Sequence, residues 1–181
     1  MVPLRGFILA AACVLVLPMC QSSGVASTDE PVNQLASRDA ESARAATEAT
    51  FRAGTAALPT LLALRGNQTA FTGGALGNPM SAQMTLEERP GVARDQIVTV
   101  EVAALYLINA IYHRRLDFAQ SAYLTDINVP PNERTAANTP ARVARAWESV
   151  ARWYDLVRTA SIDELRRKNI DPFMGSGIRF W

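Results

Sequence analysis

The sequence predicts an all-α domain, a compact bundle of about five helices over residues 37–181. Three observations lead to this fold class. Apolar residues recur at spacings of three and four in several segments, no long segment alternates as a half-buried strand would, and residues typical of helix starts precede the apolar stripes. A hydrophobic content of 49% supports a packed core.

Residues 1–20 have the pattern of an export signal. Arg5 precedes an almost entirely apolar run that is shorter than the roughly 20 residues of a membrane-spanning helix. The run ends Leu-Pro-Met-Cys, which resembles the lipobox of bacterial lipoproteins. The resemblance implies cleavage before Cys20 and a lipid on that residue. Met19 departs from the small residue usual at that place, so cleavage after Ala26 is the alternative.

Residues 21–36 are mostly small or polar, which predicts a flexible spacer between the signal and the domain. Cys13 and Cys20 are the only cysteines, and both fall within residues 1–20. The domain therefore has no disulfide, cysteine nucleophile or cysteine metal site, and its core alone must stabilise it.

The sequence of the first part of the domain predicts two helices and a loop. Ser37 is a natural N-cap for a helix that ends at Gly54, and a short helix with four leucines covers residues 55–64. Residues 65–95 combine many glycines and prolines with few apolar residues, which predicts a long loop. A loop of this length is either a binding surface or is folded onto the core. The apolar side chains that could fold it onto the core are Phe71, Leu76, Met80 and Met84.

Residues 97–112 are apolar on nearly every side, which predicts a buried central helix. Thr99 is its expected N-cap, and Glu101 lies in its positive first turn. His113 lies near the negative end of the same helix. Its position favours a structural role at the helix terminus.

An irregular segment over residues 116–138 precedes the last helices. Thr139, followed by proline, predicts the start of a long helix, and Ser161 with Glu164 forms a capping box for a short one. The stripe that packs the long helix on its neighbours consists of Val143, Trp147, Val150, Tyr154 and Val157. The two aromatic residues that end the sequence are expected to dock onto the bundle.

Charge and residue types exclude several functions. Lys and Arg number 18 and Asp and Glu 17, and the arginine clusters have acidic neighbours, so no nucleic-acid surface is expected. Lys168 is the only lysine, which together with the many alanines and arginines indicates a bacterial protein from a GC-rich genome. His113 is the only histidine, and no motif that presents a nucleophile accompanies it. We therefore expect no catalytic residue, no metal and no cofactor.

Two segments carry a resemblance to a known repeat. Residues 54–64, GTAALPTLLAL, follow an alanine-rich helix and resemble the second half of a HEAT-type helical repeat. Residues 100–108, VEVAALYLI, are similar to the helix of a following unit. The resemblance covers about residues 43–112. It implies HEAT-like helix pairs and a protein-binding or scaffolding role.

The hypothesis is an exported, envelope-associated module that binds another protein. Its sharper form is an immunity or inhibitor protein for a secreted toxin. The expected contacts are Phe71, Met80 and Met84 of the loop, with Trp153 exposed at the edge of the helix stripe. We expect a periplasmic or outer-membrane lipoprotein, anchored through Cys20 if that residue is modified, or a soluble periplasmic or secreted protein. A small periplasmic hydrolase or cell-wall-binding enzyme and a structural envelope lipoprotein are the alternatives.

Overall fold

The computed structural model describes residues 29–77 and 97–181. Helices make up about half of these residues, and the strands among them form one two-stranded sheet. The prediction of a mostly helical domain is confirmed, with this small sheet as an unexpected addition. In chain order the elements are α1 (Asp29–Gln34), α2 (Ala40–Ala53), α3 (Leu58–Leu62), α4 (Val100–His113), β1 (Leu124–Asp126), α5 (Pro140–Val157), α6 (Ile162–Arg167) and β2 (Ile178–Phe180).

Helix α4 is the centre of the core. Every residue from Val100 to Tyr112 is buried, and α2, α3 and α5 each pack against it. A helix that is apolar on all sides has no face suited to water, so the surrounding helices must cover it. The prediction of a buried central helix is confirmed.

The N-terminal part of the described chain is helical and packed. Val32 and Leu35 are fully buried in the core, and α1 packs on α2. The prediction of a flexible spacer is therefore wrong for residues 29–36. These two residues are three apart and so lie on one face of a helix, a signal that the polar residues around them concealed.

The helix termini follow capping chemistry. Asp39, and not the predicted Ser37, is the N-cap of α2, and its carboxylate accepts from the Ser42 amide at 2.8 Å. The predicted caps of α5 and α6 are confirmed, because Thr139 and Ser161 each accept from a backbone amide three residues on. These contacts satisfy amides that have no partner inside their own helix.

The unexpected sheet fixes the last residues of the sequence. β1 and β2 pair antiparallel, with Thr125 opposite Arg179. The pairing continues beyond the strands, since the Trp181 amide donates to the Tyr123 carbonyl at 2.9 Å. Phe180 packs against the core, so the predicted docking is confirmed for this residue, while Trp181 lines a cleft beside it. Strands of three residues are too short to show an alternating pattern in sequence.

Some predictions lie outside the described residues. The export signal with Cys20, most of the loop over residues 65–95, and the side chains of Met80 and Met84 are among them. Within residues 29–77 and 97–181, no helix has the length and apolar character needed to cross a bilayer.

Candidate functional site

A cleft of about 770 Å³ opens where the last turns of α4 meet the sheet. We call it the sheet cleft. Asn109 and His113 of α4 line one wall, and Thr125 of β1 and Arg179 of β2 line another. The remaining charged and aromatic side chains of the lining are Arg115, Asp117, Arg134, Asp171, Phe118, Phe173, Phe180 and Trp181. The cleft therefore combines charged groups with an aromatic surface, as ligand sites commonly do.

Helix α5 positions β1 at the cleft. The Arg142 guanidinium donates to the Leu124 carbonyl at 3.1 Å, and Arg145 forms an ion pair of 2.5 Å with Asp126. The pair lowers the pKa of Asp126, mainly through the hydrogen bond from Arg145. Both arginines lie on a long, well-capped helix, so the strand that carries Thr125 has a rigid support.

Thr125 carries an unpaired hydroxyl in the wall of the sheet cleft. Its side chain is 7% exposed, and its Oγ1 has no hydrogen-bond partner among the described residues. Arg179 lies directly opposite on β2, is exposed, and forms no ion pair with the described part of the chain. Directly opposed residues of an antiparallel pair have neighbouring side chains. A hydroxyl donor and a guanidinium are thus placed side by side, and the described part of the chain supplies no side-chain acceptor to either.

Arg134 adds a second positive charge, and no carboxylate in residues 29–77 or 97–181 pairs with it. Its Nε donates to the Val129 carbonyl and its Nη2 to the Ile127 carbonyl, both at 2.8 Å. These neutral acceptors fix the guanidinium but do not neutralise it. Arg115 differs, because it pairs with the Asp117 carboxylate at 3.3 Å.

His113 lies exposed at the mouth of the cleft, where two aromatic rings flank it. The ring stacks on Phe118, with centroids 4.8 Å apart, and meets the edge of Tyr112. Burial lowers the pKa of His113, and the nearby Asp171 carboxylate opposes this change. Among the described residues no hydroxyl or carboxylate is hydrogen-bonded to the ring, so the cleft does not assemble a nucleophile with its base.

A second hollow, of about 400 Å³, lies at the C-terminal end of α4 and has a structural explanation. Arg166 donates there to the Ile111 carbonyl at 2.7 Å and to the Tyr112 carbonyl. Asp163 pairs with both Arg114 and Arg166. The charged groups of this hollow therefore satisfy one another and the end of the helix.

Trp153 is not the exposed anchor that the sequence predicted. Its side chain is 3% exposed, and its Nε1 donates to the Ile170 carbonyl at 3.2 Å. The chain after α6 returns across this face of α5 and covers the indole. The prediction of an exposed contact residue at this position is therefore wrong.

Phe71 lies at the start of the predicted loop and is half-buried against the core. Its amide donates to the Val98 carbonyl at 2.8 Å, which ties this part of the loop to the residues before α4. Phe71 therefore agrees with the alternative in which the loop folds onto the core. Leu76 also packs against buried residues. Gly77 packs closely against the backbone of Gln120. A Cβ on Gly77 would lie 2.4 Å from the Gln120 carbonyl oxygen.

Metal-binding geometry is not found in the described parts of the chain. No three histidine, cysteine or acidic side chains come together there as a metal ion would require. No sequence pattern pointed to Thr125, Arg134 and Arg179, because these residues come from an irregular segment and a short strand. The only available signal was the pair of prolines at 130–131, which marks a turn but says nothing of its partner strand.

Comparison of the chain with protein-family models, with curated proteins and with solved structures finds no match.

Proposed function

We propose that the protein is an envelope-associated protein-binding module and that the sheet cleft is its contact site. The observation that carries this proposal is the hydroxyl of Thr125 beside the guanidinium of Arg179, neither of which has a side-chain partner within residues 29–77 and 97–181. Buried polar groups are almost always hydrogen-bonded, because leaving one unpaired costs free energy. A partner that supplies an acceptor would remove that cost.

The export signal and the HEAT-type resemblance support the same role. The signal of residues 1–20 favours an envelope location, with Cys20 as the proposed anchor. Helical repeats of the HEAT type usually present surfaces to other proteins. In this proposal the contact surface is the sheet cleft, in place of the surface at Trp153 that the sequence predicted. An immunity or inhibitor protein is one form that such a module would take.

A small hydrolase is the second candidate function. It is favoured by one observation, the lowered pKa of His113, which keeps its ring neutral and able to accept a proton near pH 7. Replacing His113 by Gln separates the two functions. Binding through Thr125 and Arg179 should survive this change, whereas catalysis by a histidine base should not.

The test is capture of the natural partner with the cleft open or blocked. The full chain carries an affinity tag between residues 26 and 29, because a tag after Trp181 would lie at the cleft. Gln120, an exposed cleft residue, is replaced by Trp to fill the opening. Arg152, exposed on α5 and outside the cleft lining, is replaced by Trp as the matched control.

We expect a stoichiometric protein from envelope or secreted fractions to be retained by the native chain and by Arg152→Trp, and lost with Gln120→Trp. Equal retention by all three chains would place the contact outside the cleft. If no protein is retained at stoichiometric yield, the binding function itself fails.

A further inference from the structure

We infer that the sheet cleft binds an acidic peptide segment of the partner and that Thr125, Arg134 and Arg179 receive its side-chain carboxylate. This inference rests on the proposed function and adds the chemistry of the ligand. It follows from three properties of the cleft: its uncompensated charge, its free donor and its aromatic wall.

The charge is positive on the sheet side of the cleft. Three arginines and two aspartates line it, and one arginine is neutralised by the pair between Arg115 and Asp117. Arg134 is held by backbone carbonyls, and Arg179 has no ion pair with the described residues. Asp171 accepts from the Phe173 amide at 2.7 Å but keeps its negative charge, which leaves one positive charge in excess among the described lining residues. The sheet side therefore offers one net positive charge to an anion.

The hydroxyl of Thr125 and the net charge of the lining together indicate which kind of anion the cleft binds. A carboxylate only accepts hydrogen bonds, and hydrogen bonds from guanidinium and hydroxyl groups to it are stronger than those between neutral groups. Thr125 can donate one, beside Arg179. The described lining has one positive charge in excess, which a singly charged carboxylate neutralises and a doubly charged phosphate exceeds. The singly charged carboxylate of Asp or Glu is the better match.

The aromatic side chains of the cleft indicate which kind of residue lies next to the acidic residue in the ligand. Phe180 lines the cleft from the core side of β2, the face opposite to that of Arg179, and its ring contacts those of Phe118 and Phe173 at 5.9 and 5.3 Å. Trp181 also lines the cleft. Aromatic surfaces of this kind bury apolar side chains. The ligand is therefore a segment in which Asp or Glu adjoins an aromatic or aliphatic residue.

The experiment uses a displayed library of random heptapeptides, selected on the full native chain after subtraction on Gln120→Trp. Retained sequences should be enriched in Asp or Glu next to an apolar residue. One retained peptide is then synthesised with its acid or with the matching amide, Glu or Gln, and its dissociation constant is measured by calorimetry. The acid form should bind roughly tenfold or more tightly, because it alone makes charged hydrogen bonds.

Two variants connect this difference to the cleft. Thr125→Val removes the unpaired hydroxyl with little change of shape, and Arg179→Gln removes the charge. Each should weaken binding of the acid peptide and leave the amide peptide unchanged. Arg152→Gln is the control for loss of an exposed arginine and should have no effect. Thermal melting of each variant shows whether it is folded.

Several outcomes would overturn the inference. Equal binding of acid and amide peptides, or binding unaffected by both variants, rules out a carboxylate site but leaves the cleft as a protein-binding site. Competition by inorganic phosphate as effective as by the peptide assigns the charges to a simple anion instead. If no peptide is retained above the blocked variant, the peptide ligand is wrong, and capture of the natural partner still decides the proposed function separately.

Discussion

Two buried polar side chains near opposite ends of α4, Glu101 and Thr125, differ in their hydrogen-bond partners. At its first turn Glu101 is 6% exposed, and its carboxylate accepts from the Gly66 amide at 2.9 Å and from the Gln68 side chain. Beside its last turns the sheet cleft holds Thr125, whose hydroxyl has no partner in the described parts of the chain. Buried hydroxyls without a partner among the described residues also occur at Thr50 and Thr99, so what distinguishes Thr125 is its place in the wall of a cleft that a ligand can enter.

The largest expected effect is at the paired end. Glu101→Ala removes the acceptor for the Gly66 amide and the Gln68 side chain, and leaves both donors without their partner. A hydrogen bond to a charged group contributes about 1.5–3 kcal/mol, so we expect the free energy of unfolding to fall by about 3 kcal/mol. Urea denaturation at pH 7 measures the change.

The control for this variant is Glu41→Ala. Glu41 also lies in the first turn of a helix, but it is exposed. It interacts mainly with the helix dipole, so its loss should cost under about 1 kcal/mol. Equal losses for the two variants would mean that the dipole, and not the contacts to residues 66–68, accounts for the role of Glu101.

The helical part of the fold could be predicted because its signals are local. The apolar residues of α4, the caps at Thr139 and Ser161, and the glycine after α2 all act within one or two turns of the chain. The prediction for Trp153 was wrong because its covering comes from a segment beyond the next helix, around Ile170. No spacing within α5 carries that information.

The sheet cleft could not be predicted for the same reason. Thr125 and Arg179 are opposed only because β1 pairs with a strand from the end of the sequence. Each strand has three residues, too few for a periodic signal. The sequence did indicate that the terminal aromatics dock, and the docking of Phe180 is what brings β2 to the cleft.

A smaller effect of opposite sign is expected at Thr125. Thr125→Val removes a buried hydroxyl that has no partner, so the variant should be more stable than the native chain by about 1 kcal/mol. Thr50 provides the matched case in the core, because its hydroxyl is also buried and unpaired among the described residues. Thr50→Val should give a similar gain, measured by urea denaturation.

The two threonine variants should differ only in binding. Thr125→Val is expected to lose affinity for the acidic peptide, whereas Thr50→Val, which is remote from the cleft lining, should keep it. A loss of stability in Thr125→Val would show that its hydroxyl already has a partner. In that case the contrast between the two ends of α4 would not hold.

The smallest effect is the pH dependence that His113 contributes. Burial against Phe118 lowers the pKa of His113 in the folded chain, and Asp171 offsets this only in part. Between the folded and unfolded pKa values the unfolded chain binds the proton and the folded chain does not. The free energy of unfolding should therefore fall slightly as the pH is lowered below about 6.5, the ordinary pKa of histidine.

Urea denaturation between about pH 7.5 and about pH 5.5 measures the contribution of His113 to the free energy of unfolding, because histidine ordinarily titrates in this range. The carboxylates with lowered pKa values, Asp39, Asp126, Asp163 and Glu164, lose their contribution only in more acidic solution. His113→Gln should flatten the pH profile, because no other histidine is present. A rise in stability toward pH 5.5 would mean that Asp171 favours the charged ring more than burial disfavours it. The cleft would then carry an additional positive charge in mildly acidic solution, and its affinity for the acidic peptide should rise with it.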